Sequence, residues 1–107
     1  MIRGSVWWVE FDPAVGTEIH KTRPAVIVSN DTANKFLARV VVIPLTSNTS
    51  RIYPGEAIVT VNGNKSKAMT DQIMSADKSR LKNKIAELSD TDMVSLETAM
   101  KRFFNLL

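Results

Sequence analysis

The sequence predicts a mainly β fold with some helix: a small antiparallel barrel or curled sheet with one C-terminal helix, in a single domain spanning residues 1–107. Short β-branched and aromatic runs separated by turn signals fill the first three quarters of the chain. Helical periodicity appears only after them. With 107 residues and 44% hydrophobic side chains, the chain has material for one core and no room for a second.

Each strand is predicted from a β-branched or aromatic run, and the ranges are 4–11, 24–29, 38–45, 56–61 and 67–74, with 83–88 as a candidate short sixth. The third contains Val40-Val41-Val42-Ile43, which is apolar on both faces and therefore favours a central position. Asn62-Gly63 tolerates positive φ and predicts a hairpin between the fourth and fifth strands. The residues up to Ser66 are expected to lengthen its loop beyond two residues.

The terminal helix is predicted to begin at Ser89. Ser89 and Asp92 have the spacing of a capping box. After them, apolar residues recur at helical spacing, namely Met93, Leu96, Met100, Phe103 and Leu107. We therefore expect the helix to pack an apolar stripe on the sheet.

Composition excludes several classes of protein. The chain has no cysteine, which rules out disulfides and zinc–thiolate sites and favours a cytoplasmic location. No apolar run has the length of a signal peptide or a membrane span, so we expect neither export nor contact with a membrane.

The net charge of +3 favours an anionic partner only weakly. Much of the excess lies in residues 65–84, where six cations are answered only by Asp71 and Asp77. A phosphate-facing surface and a solvated face are equally good interpretations of that stretch.

The connection formed by residues 12–23 is the most informative segment. A hairpin would need only about 2–5 residues here, and connections of this length are usually functional. It combines hydroxyl, carboxylate, imidazole and cationic groups, contributed by Thr17, Glu18, His20, Lys21, Thr22 and Arg23. Arg23 precedes Pro24, which favours an extended backbone at the start of the second strand. Composition alone leaves a solvated polar loop equally open.

Two further polar clusters accompany strands. The run 44–50 carries hydroxyl and amide side chains at the end of the third strand, with Thr46 at the rim of the sheet. Such residues most often satisfy turn backbone groups. Thr70-Asp71-Gln72 lies within the predicted fifth strand, where Asp71 either accepts hydrogen bonds from base edges or pairs with a nearby lysine.

The aromatic and imidazole side chains give weaker signals. Trp7 and Trp8 are adjacent on a strand and point to opposite faces, so either both pack in a core or one serves stacking or a subunit contact. His20 is the only histidine, which excludes a two-histidine ribonuclease mechanism within one subunit. No grouping of His, Asp and Glu has metal-ligand spacing.

Four motifs in order resemble the MazF/PemK/Kid family of mRNA interferases. They are Gly4-x-Val6-Trp7-Trp8-Val9-x-Phe11-Asp12-Pro13 with Gly16-Thr17-Glu18, Lys21-Thr22-Arg23-Pro24-Ala25-Val26-Ile27-Val28-Ser29-Asn30-Asp31, Val42-Ile43-Pro44-Leu45-Thr46-Ser47, and Ala68-x-x-Asp71-Gln72-Ile73. Each motif alone is weak. Their order and spacing along nearly the whole chain make the resemblance specific.

The resemblance implies an SH3-like barrel in a homodimer that binds single-stranded RNA, such as mRNA, along the dimer face. It implies catalysis by Arg23 and Thr46, with Glu18 as the candidate base, and without metal or cofactor. The expected RNA contacts are Thr17, Lys21, Ser47, Asn48, Asp71 and Gln72. A toxin of this kind also implies an acidic, MazE-like antitoxin as partner.

Two other functions remain as alternatives. The CcdB gyrase poisons have a similar fold but use C-terminal aromatic contacts, and this chain ends Phe103-Phe104-Asn105-Leu106-Leu107 without tryptophan. A catalytically silent RNA-binding barrel is the second alternative. Incubation with a long single-stranded RNA separates both from a ribonuclease.

Overall fold

A computed structural model describes residues 1–106, in which a seven-stranded, curled antiparallel sheet is followed by a C-terminal helix. The predicted fold class is confirmed, and Leu107 lies outside the described residues. The strands are β1 Ser5–Glu10, β2 Thr22–Ile27, β3 Arg39–Thr46, β4 Ala57–Val61, β5 Asn64–Ala68, β6 Met74–Asp77 and β7 Leu81–Glu87, and the helices are α1 Asp31–Phe36 and α2 Asp90–Phe103.

Strand β3 is central, as its doubly apolar sequence predicted. The sheet order is β4-β5-β3-β2-β1-β7, with β6 also pairing with β3. One edge of β3 pairs with β2, while the other edge pairs with β6 along its first half and with β5 at its end. Because β3 is covered on both edges and both faces, its valines and isoleucine are nearly all buried.

The sheet carries an apolar core on each face. Alternation along β2 and β3 sends Val26 and Ile43 to one core and Ile27 and Val42 to the other. The first core lies under α2 and includes Met93, Leu96 and Ala99. The second is closed by the connection between β1 and β2, through Phe11 and Ile19. That connection is therefore anchored to the sheet by apolar contacts.

Helix α2 begins where it was predicted to begin. The Ser89 hydroxyl oxygen accepts a hydrogen bond from the Asp92 N–H at 3.1 Å, which caps the helix. Asp92 does not complete a capping box, because its Oδ2 accepts from the backbone N–H of Thr60 at 2.8 Å. The same carboxylate thus fastens the helix to β4.

Three predictions of local structure were wrong or incomplete. Helix α1 was missed, because its six residues, capped by Asn30, are too few to show helical periodicity. The hairpin between β4 and β5 has no lengthened loop: Val61 pairs directly with Asn64, and Asn62 and Gly63 have φ of 49° and 82°. Both turn residues are left-handed, which permits a two-residue turn.

The predicted strand over 67–74 was also wrong. The chain leaves the ladder after Ala68, forms a 3-10 turn at Thr70–Gln72 and re-enters as β6. Leu45 pairs with Ala68 and Val42 with Met74, so β3 advances three positions while the facing chain advances six. The surplus of three residues has no partner on β3 and bulges outward as the turn. Asp71 and Gln72 therefore lie on a protruding turn, not within a strand.

Candidate active site

Arg23 and Thr46 lie on the same face of the sheet. The ladder between β2 and β3 ends at the pair Ala25–Pro44, two residues short of both, and Thr46 pairs instead with Lys67 of β5. Arg23 pairs with Val9 of β1. Alternation places both side chains on the face of the second core, at its rim, where both residues are half-buried.

The hydrogen bonds of these two residues leave their chemistry available. Arg23 donates from Nε to the carbonyl oxygen of His20 at 3.3 Å. Within residues 1–106 its two terminal nitrogens, which form the fork that matches phosphate oxygens, have no protein partner. The Thr46 hydroxyl oxygen accepts from the N–H of Asn48 at 3.3 Å, which leaves its own hydrogen for donation.

A cleft of about 440 Å³ brings together residues from the β1–β2 connection and the 3-10 turn. It contains four of the predicted site residues, namely Thr17, Glu18, Asp71 and Gln72. Gln72 joins the two walls, because its Oε1 accepts from the backbone N–H of Ile19 at 3.1 Å. The 3-10 turn thus fixes the backbone of the β1–β2 connection next to the second core.

Glu18 has a structural role in its own loop. Its Oε1 accepts from the N–H of Val15 at 2.7 Å, and its own N–H donates to the carbonyl oxygen of Val15 at 3.2 Å. The residue is exposed at the cleft. One carboxylate oxygen therefore closes a turn around Gly16, and the other is available for further contacts.

Arg23 and Thr46 do not line this cleft, and neither do Lys21, Ser47 and Asn48. Lys21 is exposed with a φ of 65°, and its N–H donates to Asp12 Oδ1 at 3.0 Å. Asn48 Oδ1 accepts from both the N–H and the hydroxyl of Ser50, at 3.2 and 2.8 Å. Residues 46–50 therefore satisfy turn backbone groups, as their composition favoured, while Ser47 remains exposed.

Arg80 is a cleft residue that was not singled out in the sequence. Its guanidinium donates from one terminal nitrogen to the carbonyl oxygens of Glu10 and Asp12, at 2.9 and 2.7 Å. This holds the start of the β1–β2 connection against the start of β7. The available signal was its membership of the basic stretch 65–84, but nothing local separates it from the lysines around it.

Three of the six cations in the basic stretch form ion pairs with acids outside it. Lys82 pairs with Glu10 at 3.5 Å, and Lys84 pairs with Glu87 at 2.6 Å. Lys67 pairs with Glu56 at 3.4 Å. The charge excess seen in the linear sequence is therefore smaller on the folded surface than the local count suggests.

The two tryptophans have different environments. Trp7 is half-buried against the second core, and its indole N–H donates to the Ser5 hydroxyl at 3.0 Å. Trp8 is 41% exposed. Only Trp7 therefore belongs to the core, and Trp8 presents aromatic surface on the opposite face of β1.

Two carboxyl groups outside the cleft are shifted toward the charged form. The hydroxyl and N–H of Ser79 hold the pKa of Asp77 below its ordinary value. The backbone N–H of Arg3 and the side chain of Asn34 do the same for the pKa of Asp31.

Within residues 1–106 no three side chains of His, Asp or Glu gather as a metal site would need. In the same range no helix combines the length and apolar character of a membrane span.

A protein-family model and several known proteins match this chain. A family model described as "PemK-like, MazF-like toxin of type II toxin-antitoxin system" matches residues 2–104. The chain is 37% identical to endoribonuclease MazF9 of Mycobacterium tuberculosis, covering 99% of this chain and 98% of the relative. It is 36% identical to endoribonuclease MazF of Staphylococcus saprophyticus, covering 94% and 88%.

Solved structures share the fold. MazF of Deinococcus radiodurans superposes with a TM-score of 0.86 at 23% identity, covering 99% of this chain and 97% of that one. A mycobacterial endoribonuclease in complex with its cognate antitoxin gives a TM-score of 0.84 at 24% identity, covering 100% and 97%.

Proposed function

The chain belongs to the PemK-like, MazF-like family of toxins of type II toxin–antitoxin systems, and on that premise we propose that it is an endoribonuclease that cleaves single-stranded RNA. Its substrate in the cell is mRNA. The observation that carries the proposal is that alternation directs Arg23 of β2 and Thr46 of β3 to the same face of the sheet, where each residue is half-buried and keeps hydrogens for donation to a phosphate.

The substrate supplies the nucleophile. The 2′-hydroxyl of RNA attacks the adjacent phosphorus and gives up its proton, the bond to the 5′-oxygen breaks, and the leaving 5′-oxygen takes a proton from water. The products carry a 2′,3′-cyclic phosphate and a 5′-hydroxyl. The enzyme has to hold the 2′-oxygen in line with the leaving oxygen and to stabilise charge on the phosphoryl oxygens. This chemistry requires neither a metal nor a cofactor.

Arg23 and Thr46 provide charge stabilisation. The planar guanidinium of Arg23 offers two donors to the phosphoryl oxygens, and proton donation by it is unfavourable because a guanidinium holds its proton tightly. Thr46 donates its hydroxyl hydrogen to the scissile phosphate. Because both groups lie at the edge of a rigid sheet, little reorganisation is needed on reaching the transition state.

Glu18 is the carboxylate proposed as general base. Its Oε1 is already bonded to Val15, so the proton of the 2′-hydroxyl would go to the second oxygen. Asp71 and Gln72 occupy the opposite wall of the cleft and are proposed to contact base edges. Thr17, Lys21, Ser47 and Asn48 are proposed as further RNA contacts on the flanking loops.

We further propose a homodimer and an acidic, MazE-like antitoxin as protein partners, with residues 1–107 acting as one domain. A mycobacterial endoribonuclease of this fold has been solved with its cognate antitoxin, which supports the second partner. Gyrase poisoning and silent RNA binding are not favoured, since the curated relatives named above are endoribonucleases.

End-group chemistry tests the proposal. The purified protein is incubated with a long single-stranded RNA in excess chelator, and the fragment ends are identified by enzymatic labelling. We expect cleavage with 5′-hydroxyl and 2′,3′-cyclic phosphate ends. A 5′-phosphate product, or activity that disappears with chelator and returns with magnesium, would exclude this mechanism, and intact RNA would exclude the function.

A further inference from the structure

A second cleft, of about 220 Å³, lies beside the cleft that Glu18 lines. Its walls are the turn at residues 53–56, the end of α2 at Phe103, and Asp71. Asp71 lines both clefts, so they meet at that side chain. An RNA strand that contacts Glu18 and passes Asp71 would therefore reach the second cleft, which is hereafter called the aromatic cleft.

The aromatic cleft offers ring surface to solvent. Tyr53 is 55% exposed and Phe103 is 44% exposed. Burial of such large side chains would be favourable, so their exposure calls for a functional reason. The cleft, of about 220 Å³, is smaller than the roughly 300–1,000 Å³ of sites for drug-sized ligands. Aromatic side chains beside a nucleic-acid track stack unpaired bases irrespective of sequence.

The turn that carries Tyr53 is fastened to the sheet by Lys67. This lysine, which pairs across the ladder with Thr46, donates from Nζ to the carbonyl oxygen of Arg51 at 3.0 Å. It also forms the ion pair with Glu56, in which both side chains are about nine-tenths buried, and its Nζ lies 5.5 Å from the centre of the Tyr53 ring. The ring is thus held from one side by a cation.

On the opposite wall, Phe103 packs closely against Gly55. At Gly55, a Cβ would approach Phe103 Cβ to 3.0 Å and Phe103 Cδ1 to 3.1 Å, so this close approach requires a residue without a side chain. The backbone φ of +89° has the same requirement. Both aromatic walls are therefore positioned by specific contacts before any ligand arrives.

We propose that the aromatic cleft is a nucleobase subsite, a proposal that rests on the proposed function. One unpaired base of the RNA stacks on Tyr53 and Phe103, with its edge toward Asp71. A carboxylate accepts hydrogen bonds and donates none. Uracil presents one donor, N3–H, between two carbonyl oxygens that repel a carboxylate, so Asp71 favours a base with an exocyclic amino group over uracil. The subsite sets the base preference at one position flanking the cleaved bond, and Lys67 is a positioning residue for it.

Adjacent phenylalanines provide a matched pair of variants. Phe103 and Phe104 are equally exposed, at 44%, and their rings contact each other edge to face at 5.2 Å. Either substitution by alanine removes that contact, but only Phe103 lines the aromatic cleft. Binding is measured by fluorescence anisotropy with a labelled 2′-O-methyl RNA, which lacks the nucleophile, and cleavage preference by sequencing the 5′ ends of fragments from a long RNA.

Phe103→Ala is expected to weaken binding about 5- to 150-fold, the range for losing one base stack, and to abolish the preference at one position while leaving the others. Phe104→Ala should match the parent. Tyr53→Ala, in an exposed turn, should reproduce the loss, and Tyr53→Phe should not. Asp71→Asn should reduce discrimination against uracil at that same position.

Several outcomes overturn the subsite. Parental binding and preference in both Phe103→Ala and Tyr53→Ala would do so, as would equal losses in Phe103→Ala and Phe104→Ala. Dissociation of a dimer by Phe103→Ala with unchanged RNA affinity would make the cleft a subunit contact. If the parent binds the 2′-O-methyl RNA but cuts no natural RNA, the catalytic proposal fails while the binding comparison still decides the subsite.

Discussion

At the scale of single residues, the side chains proposed to stabilise charge during catalysis are Arg23 and Thr46, whose backbones are paired in the sheet and whose polar groups have few protein partners. Arg23 donates one bond, from Nε, and Thr46 accepts one, from Asn48. Neither arrangement stabilises the fold strongly, since both are long bonds at a half-exposed rim. Removing either group should therefore affect activity far more than stability.

Arg23→Ala and Thr46→Ala should each lower kcat by about 10²- to 10³-fold, the usual effect of losing one preorganised donor to a charged transition state. The melting temperature should change little. Thr46→Ser keeps the hydroxyl and should retain most activity. Arg39→Ala, at the opposite end of β3, is the control for loss of an exposed arginine. Parental cleavage by either alanine variant would remove that residue from the mechanism.

Glu18 combines a loop contact with a proposed proton transfer, and two substitutions separate them. Glu18→Gln keeps an acceptor for the Val15 N–H but is no base, whereas Glu18→Ala loses both functions. We expect both variants to lose about 10²-fold or more in kcat, the range for general base catalysis. A glutamine variant that cuts at the parental rate beside an impaired alanine variant would reduce Glu18 to a loop cap.

At the scale of elements, helix α2 supports the sheet face opposite the cleft, and its first turn is held by one hydroxyl. Ser89→Ala should lower the free energy of unfolding by about 1 kcal/mol, because the Asp92 N–H loses its acceptor. Ser89→Asp keeps an acceptor and should be near parental. Ser95→Ala, exposed in the middle of the same helix, should be neutral or slightly stabilising.

Urea denaturation followed by circular dichroism measures these differences. Equal effects of Ser89→Ala and Ser95→Ala would show that the cap contributes nothing measurable to stability. Cleavage activity under native conditions should be unchanged in all three variants, because α2 begins on the far side of the sheet from Arg23 and Thr46.

At the scale of the whole molecule, the cleft of about 440 Å³ lies on one face of the sheet, and the exposed Trp8 lies on the other. A symmetric dimer would carry two such clefts, one on each subunit. We expect sedimentation velocity to give a dimer at micromolar concentration, and Trp8→Ala to shift the equilibrium toward monomer. An active monomeric protein would show that one subunit is sufficient.

An acidic antitoxin should compete with RNA for this surface. A segment with carboxylates and a few apolar anchors would meet the cations Lys21 and Arg23, the 78–84 region, and the apolar cleft lining. In a titration with labelled 2′-O-methyl RNA, the cognate partner should displace the RNA, and added salt should weaken its binding. Unchanged RNA occupancy on partner binding would favour inhibition through the β1–β2 connection.

The sequence by itself determined the fold class, the central position of β3, the start of α2 and the family. Each of these follows from a pattern that the linear sequence contains. The run of β3 is apolar on both faces, Ser89 precedes apolar residues at helical spacing, and the family motifs occur in the expected order along the chain. It also identified Arg23 and Thr46 as candidates through the family motifs, because those motifs are contiguous runs of residues.

Only the tertiary structure decided how these residues meet. The two-residue hairpin and the bulge at Thr70–Gln72 follow from register between distant strands, which no local pattern contains. In the sequence, Arg80 and Lys67 cannot be distinguished from the cations around them. Only the fold brings Arg80 to the backbone of Glu10 and Asp12, and Lys67 to Glu56. Tyr53, Phe103 and Asp71 come from three separate segments and share a cleft only because α2 packs back across the sheet.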